Sequence, residues 1–279
     1  MMNISTRDYY DHLYLSPHFD DVALSCGGRV CMQTSAGDTV LVVTVATVEP
    51  PDDLVSATVE SLHDRWRAGL PVGDHEMSIV ARRQAEDRRA FAILQADILH
   101  LPFLDCIYRV GADSSLHYPG PVDMFGPIVP ADTGMIDQLA GVFAGLPPAG
   151  RVYVPLGVGG HVDHQLTRLA AEQVFPAPSY YEDYPYTMRP GALEEVLPPA
   201  EREDWTSEVL RLTPVALAAK IEAVAAYESQ LSSFFSGYDD LVEKLREEGQ
   251  RVLATEPLEA EPSPAGGERL WRRRAIKQR

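Results

Sequence analysis

The chain has three cysteines, too few and too irregularly placed for a disulfide framework. Cys26, Cys31 and Cys106 read as reduced thiols, small core side chains of a cytoplasmic protein. There is no run of 18 or more apolar residues, which argues against a membrane span. The first residues lack the charged start and apolar stretch of a secretory signal. Basic residues are scarce as well: Lys and Arg total 24 against 41 Asp and Glu, a net charge of −17. Such a chain repels phosphate backbones, and the short run Arg272, Arg273, Arg274 does not reverse that, so no nucleic-acid partner is expected.

What the chain does have is the composition of a globular protein, with 45% hydrophobic residues in 279, enough for one sizeable core. Short apolar runs, most of them rich in β-branched residues, at 13–15, 39–45, 98–103 and 151–155 read as buried parallel strands. Helical stretches at 22–36, 80–95, 136–143 and 162–174 separate them, and a further helix starts at Thr213-Pro214, with Thr as cap and Pro at the first position. The alternation predicts an α/β fold: a Rossmann-like, mostly parallel sheet covered by helices on both faces, in a single domain spanning 1–254. Residues 255–279 read as a Pro/Glu-rich linker over 255–267 followed by a terminal strand over 269–275 at the sheet edge. Segment 49–78 should hold one helix around Trp66, and the acidic stretch 194–208 reads as a solvated face. Segment 175–190 is dense in tyrosine, and Tyr181 with Glu182 are taken from it as substrate contacts.

In open α/β sheets ligands bind beyond the carboxyl ends of the strands. Two polar runs occupy such positions. Ser16-Pro17-His18-Phe19-Asp20-Asp21 follows the first strand, with Gly27-Gly28 beyond it. Adjacent buried carboxylates need a cation or donors nearby, and His18 and Asp21, three apart on a turn entering a helix, can both reach one ion. Asp20 is then left beside that ion, free to take a proton. Gly157-Val158-Gly159-Gly160-His161-Val162-Asp163-His164 follows the fourth strand. Its two histidines share a face, so that one can ligate while the other stands over the substrate. Two His and one Asp suit an open Zn²⁺ site, with Fe²⁺ or Mn²⁺ as alternatives. Asp163 either orients His161, raising its pKa, or caps the helix.

These paired runs resemble the PIG-L/LmbE-like zinc-dependent N-deacetylases, and the likeness extends over about residues 12–235. The resemblance implies a Rossmann-like fold and removal of acyl groups from N-acetylglucosamine-type sugars or glycoconjugates. It implies His18, Asp21 and His164 as zinc ligands, Asp20 as base and His161 as support for the oxyanion. Asp105 and one of Arg82 and Arg83 would hold sugar hydroxyls, and Lys220, Ser229 and Gln230 also match family positions. Phe19 and Val22 stand where many members carry Pro and Glu, which predicts a more apolar site wall. The expected partner is a small amino-sugar substrate, with the oligomeric state open. Two other readings use the same residues: an amidase acting on a thiol conjugate or other non-sugar amide, and a non-catalytic, metal-stabilised sugar binder.

Overall fold

A computed structural model describes residues 7–51, 54, 56–68, 70, 77–255 and 264–274. Five strands run parallel: β1 (Tyr10–Ser16), β2 (Val40–Ala46), β3 (Asp97–Phe103), β4 (Ala149–Pro155) and β5 (Ser179–Tyr181). The sheet is completed by β6 (Trp205–Leu212) and β7 (Gly266–Arg273), and its order is β3-β2-β1-β4-β5-β7-β6. The interleaved helices are α1 (Asp21–Ser35), α2 (Ala57–Ala68), α3 (Ile79–Ile93), α4 (Gly134–Phe143), α5 (Val162–Val174), the short α6 (Ala192–Val196), α7 (Pro214–Ala225), α8 (Glu228–Phe234) and α9 (Tyr238–Leu253).

The chain leaves β1 towards β2 on one side, and β4 joins β1 on the other, so the strand order reverses between β1 and β4. Such a reversal opens a crevice at the carboxyl ends of the two strands. Side chains alternate across the sheet, which divides the core in two. Tyr14, Val40 and Val42 pack with α1, α3 and α7 on one face, while Leu13, Leu15, Leu41 and Val43 pack with α4 and α5 on the other.

The C-terminal strand departs from expectation. It starts three residues earlier than predicted and lies inside the sheet, antiparallel to both β5 and β6. The edge is β6, which begins within the stretch read as a solvated acidic face. Its burial is irregular because β7 is its only strand neighbour, so period-two alternation is weak there. The linker proposed for 255–267 lies largely outside the described residues.

Helix α1 packs tightly on these late elements. A Cβ at Gly28 would stand 2.6 Å from Leu212 Cδ1, so only glycine admits the approach. That approach brings the Gly28 and Arg29 amides to Glu268, at 3.0 and 2.8 Å, and Lys220 Nζ joins the same carboxylate at 2.9 Å. Lys220 is thus a buried structural partner of β7. Cys26, Cys31 and Cys106 are free and buried, as expected. No described helix is long and apolar enough to cross a membrane.

Candidate active site

The turn after β1 is fixed by its own side chains. Ser16 Oγ donates to the His18 carbonyl at 2.6 Å, and Asp21 Oδ2 accepts the His18 amide at 2.7 Å. Asp20 stands at the N-cap of α1 but makes no side-chain capping bond, so its carboxylate remains available to the crevice. Burial pushes that carboxyl up to about 6 against the pull of Arg83, with Asp21 adding to the rise.

The turn after β4 is held by Asp183. Its carboxylate accepts the Gly157 and Val158 amides at 2.8 Å each and meets His164 Nδ1 at 2.7 Å. Gly159 has φ of +87°, and a Cβ there would strike the Tyr186 side chain at 2.6 Å. With Nδ1 held by Asp183, the buried Nε2 of His164 has no hydrogen-bond partner and stands 3.3 Å from Asp21 Oδ1. A carboxylate behind a histidine whose far nitrogen faces a second carboxylate is the arrangement that orients metal-binding imidazoles.

Five carboxylates, Asp20, Asp21, Asp105, Asp163 and Asp183, converge on the imidazoles of His18, His161 and His164 and on Arg83 and Arg109. The charge imbalance draws protons onto two of the rings. Burial opposes this, yet Asp105, Asp163 and Asp21 hold His18 well above the usual histidine range, and Asp21 and Asp183 bring His164 up to about 9. A bound cation would supply the positive charge that these protons provide. The donors fit one: nitrogens of His18, His161 and His164 lie within 4.8 Å of one another, and Asp21 is 3.3 Å from both His18 Nδ1 and His164 Nε2.

His161 behaves differently from the expectation of a raised pKa. Burial, and the charge on His18, hold it well below the usual range. Its Nδ1 accepts the Asp163 amide at 3.3 Å, which makes it the N-cap of α5. The Asp163 carboxylate does not cap that helix, and its pull on His161 is outweighed by burial and by His18. It faces His18 Nε2 at 3.0 Å, accepts the Cys106 amide at 3.0 Å and pairs with Arg109 at 2.6 Å.

The crevice opens into a cavity of about 260 Å³ lined by His18, Asp20, Asp21, Arg83, Asp105 and His161 at its base. Trp66, Met124, Phe125 and Tyr186 form its upper walls. The Arg83 guanidinium lies over the Trp66 ring at 4.8 Å and the Phe19 ring at 5.3 Å, within reach of Asp20 and Asp105. A larger cavity, about 480 Å³, lies beyond Phe125 and holds none of the converging histidines and carboxylates.

Three of the expected substrate contacts lie elsewhere. Arg82 pairs with Glu86 and Glu228, one helical position away from the pocket-facing Arg83. Tyr181 is fully buried, its hydroxyl donating to the Leu15 carbonyl at 2.9 Å. Glu182 takes Arg269, Arg251 and the Trp271 indole N–H. Phe19 and Val22 belong to the core and do not line the cavity. Ser229 binds Glu86, whereas Gln230 reaches the cavity wall. Sequence reasoning missed Asp183, Arg109 and Phe125. Only Asp183 carried a signal, since it follows the carboxyl end of β5 as the two polar runs follow β1 and β4.

The GlcNAc-PI de-N-acetylase (PIG-L) family model matches residues 13–175, more than half of the chain. The chain belongs to the PIG-L family. Similar proteins include the 2'-N-acetylparomamine deacetylase of Niallia circulans, 28% identical over 245 residues that cover 82% of this chain and 84% of the relative. Among solved structures, the zinc-inhibited form of teicoplanin deacetylase Orf2 superimposes with a TM-score of 0.77 at 25% identity, covering 96% of this chain and 99% of that one. A deacetylase–teicoplanin complex gives 0.70 at 27% identity, covering 94% and 97%. Strands β2, β3 and β4, most of β1 and both polar runs of this PIG-L chain lie within the matched region.

Proposed function

We propose that this PIG-L chain is a metal-dependent hydrolase that removes an N-acetyl group from an amino sugar within a glycoconjugate. The observation that carries the reading is Asp20: a buried carboxyl with no capping bond, facing a cavity lined by His18 and His161, with a His164 nitrogen within 4.8 Å of theirs. His18, Asp21 and His164 would hold the ion, with Zn²⁺ suited to two nitrogens and a carboxylate and Fe²⁺ or Mn²⁺ as competitors. When bound, the ion polarises the acetamide and lowers the pKa of water.

The rest is work for the chain. Asp20 takes the proton of the attacking water on its carboxylate, and a carboxyl near 6 is matched to that task close to neutral pH. The same proton passes to the departing amine nitrogen, giving acetate and a free amine. His161 is neutral, so its Nε2–H steadies the oxyanion as a hydrogen-bond donor rather than as a charge. Arg83 and Asp105 hold sugar hydroxyls, and the Trp66 ring offers a flat wall for a pyranose face. Asp163 keeps His18 in place, and Asp183 does the same for His164. Asp183→Asn should therefore weaken metal binding by about 10- to 100-fold without unfolding the chain. Competition against a chromogenic chelator measures this, and unchanged affinity would remove Asp183 from the account.

The names of the relatives support an N-acetylated sugar as substrate. The test is acetate release from N-acetylated aminoglycosides and N-acetylglucosaminides, set against acetylated thiol conjugates and simple acetamides. Sugars should be preferred, and Arg83→Ala should lower kcat/KM for them far more than for simple acetamides. Preference for non-sugar amides would favour the amidase reading. Tight sugar binding without acetate would favour the binder.

A further inference from the structure

Asp87, His100 and Tyr227 form a polar line behind the site that the mechanism leaves unused. Asp87 lies on α3, His100 on β3 and Tyr227 at the turn between α7 and α8. Asp87 and Tyr227 are buried. His100 Nε2 stands 2.6 Å from Asp87 Oδ2. The Tyr227 hydroxyl stands 2.8 Å from Asp87 Oδ1 and 2.8 Å from the Phe19 carbonyl oxygen. Phe19 precedes Asp20, so the line ends one peptide away from the base.

A tyrosine hydroxyl has one proton to give, and here two acceptors face it. Given to an ionised Asp87, that proton leaves the buried Phe19 carbonyl without a partner, since no other described group donates to it. A proton on Asp87 Oδ1 satisfies every member. His100 Nε2–H then donates to Asp87 Oδ2, the Asp87 O–H donates to Tyr227, and the Tyr227 O–H donates to Phe19. Burial favours this state, because it pushes the Asp87 carboxyl up against the pull of His100 and Tyr227.

We propose that Tyr227 is a positioning residue for the base: kept turned by a neutral Asp87, it holds the Phe19 carbonyl and so aims the Asp20 carboxylate. Asp20 needs such a hold. Among the described residues its carboxylate accepts no hydrogen bond from another side chain, and Arg83 stands 3.7 Å away. Its direction is therefore set by its backbone. The Phe19 carbonyl belongs to the planar peptide that ends at the Asp20 nitrogen, so holding that oxygen fixes the plane from which Asp20 turns. The aiming role rests on the hydrolase reading with Asp20 as base; the line of donors does not.

The test combines acetate release by the zinc-loaded chain with ¹³C spectra of the wild type labelled at its Asp carboxyls. Tyr227→Phe should lower kcat about tenfold, with KM and zinc affinity within about twofold. In the Asp20→Asn background the same substitution should cost less than about twofold, because it acts through that carboxylate. Asp87→Asn should keep kcat within about threefold, since its amide donates to Tyr227 and accepts from His100 as the neutral acid does. The carboxyl signal missing from Asp87→Asn should sit at the protonated position at neutral pH. A folded Tyr227→Phe with undiminished kcat overturns the positioning role, as does an equal loss in the Asp20→Asn background. An ionised Asp87 at neutral pH overturns the line of donors, as does a loss in Asp87→Asn as deep as in Tyr227→Phe. Should Tyr227→Phe fail to fold, the wild-type signal and Asp87→Asn carry the test. No acetate from the wild type would remove the hydrolase reading and the aiming role with it, while the ¹³C signal still tests the line of donors.

Discussion

Asp20→Asn is expected to keep its metal ion and lose about 10²- to 10⁴-fold in kcat, the range for removal of a positioned general base. The substitution is nearly isosteric. It removes no capping bond, because Asp20 makes none, and it leaves His18, Asp21 and His164 untouched. Folding should change little, since Asp20 is a carboxyl whose ionisation burial already disfavours. KM should stay within a few-fold, because the loss falls on proton transfer and not on binding. A variant that binds one ion, remains folded and turns over at the wild-type rate would remove Asp20 from the base role. A variant that loses the ion would make Asp20 a ligand instead.

Lys220→Met should destabilise the fold by about 3–5 kcal/mol, the usual consequence of leaving one member of a buried ion pair unpaired. Lys220 and Glu268 are both nearly sealed from solvent, at 5% and 4% exposure. The methylenes of Met replace those of Lys, so packing against Gly27 is kept while the charge is lost. Glu268 would then be left in the interior with only the Gly28 and Arg29 amides as donors. Denaturant unfolding measures the difference, and a loss below about 1 kcal/mol would mean that the amides alone suffice. Because β7 reaches α1 through this carboxylate, the variant should also loosen the helix whose first turn carries Asp21. Turnover should therefore fall at temperatures where the unfolding curve begins.

The parallel half of the fold is legible because β2 throughout, and β1 and β4 over their carboxyl-terminal halves, are buried on both faces and read as apolar runs. The antiparallel half is not. Strand β6 carries Thr206, Ser207 and Glu208 on an edge with one strand neighbour, and nothing in that pattern separates it from a polar loop. The two polar runs identified the crevice because the sheet reverses between the strands they follow. Finer assignments needed contacts that only folding reveals. Arg82 and Arg83 are one helical step apart, and the choice between them depends on Glu228, 146 positions away from Arg82. Glu182 and Asp183 are adjacent, and along extended chain one residue separates opposite faces, so the sequence does not tell which of them turns to the crevice. The proton affinity of His161 is not legible in the sequence because burial and the charge on His18, which only the fold brings beside it, outweigh the pull of Asp163. Trp66 lies in the helix expected around it, but only tertiary packing brings it over Arg83.

The most direct test of the central claim is acetate release from an N-acetylated amino-sugar glycoside by the wild-type chain. It should be measured as isolated, after complete removal of metal, and after return of one equivalent of Zn²⁺. The account predicts that release stops with the metal removed and resumes with the single equivalent. Acetate released at an undiminished rate by protein verified free of metal would contradict it.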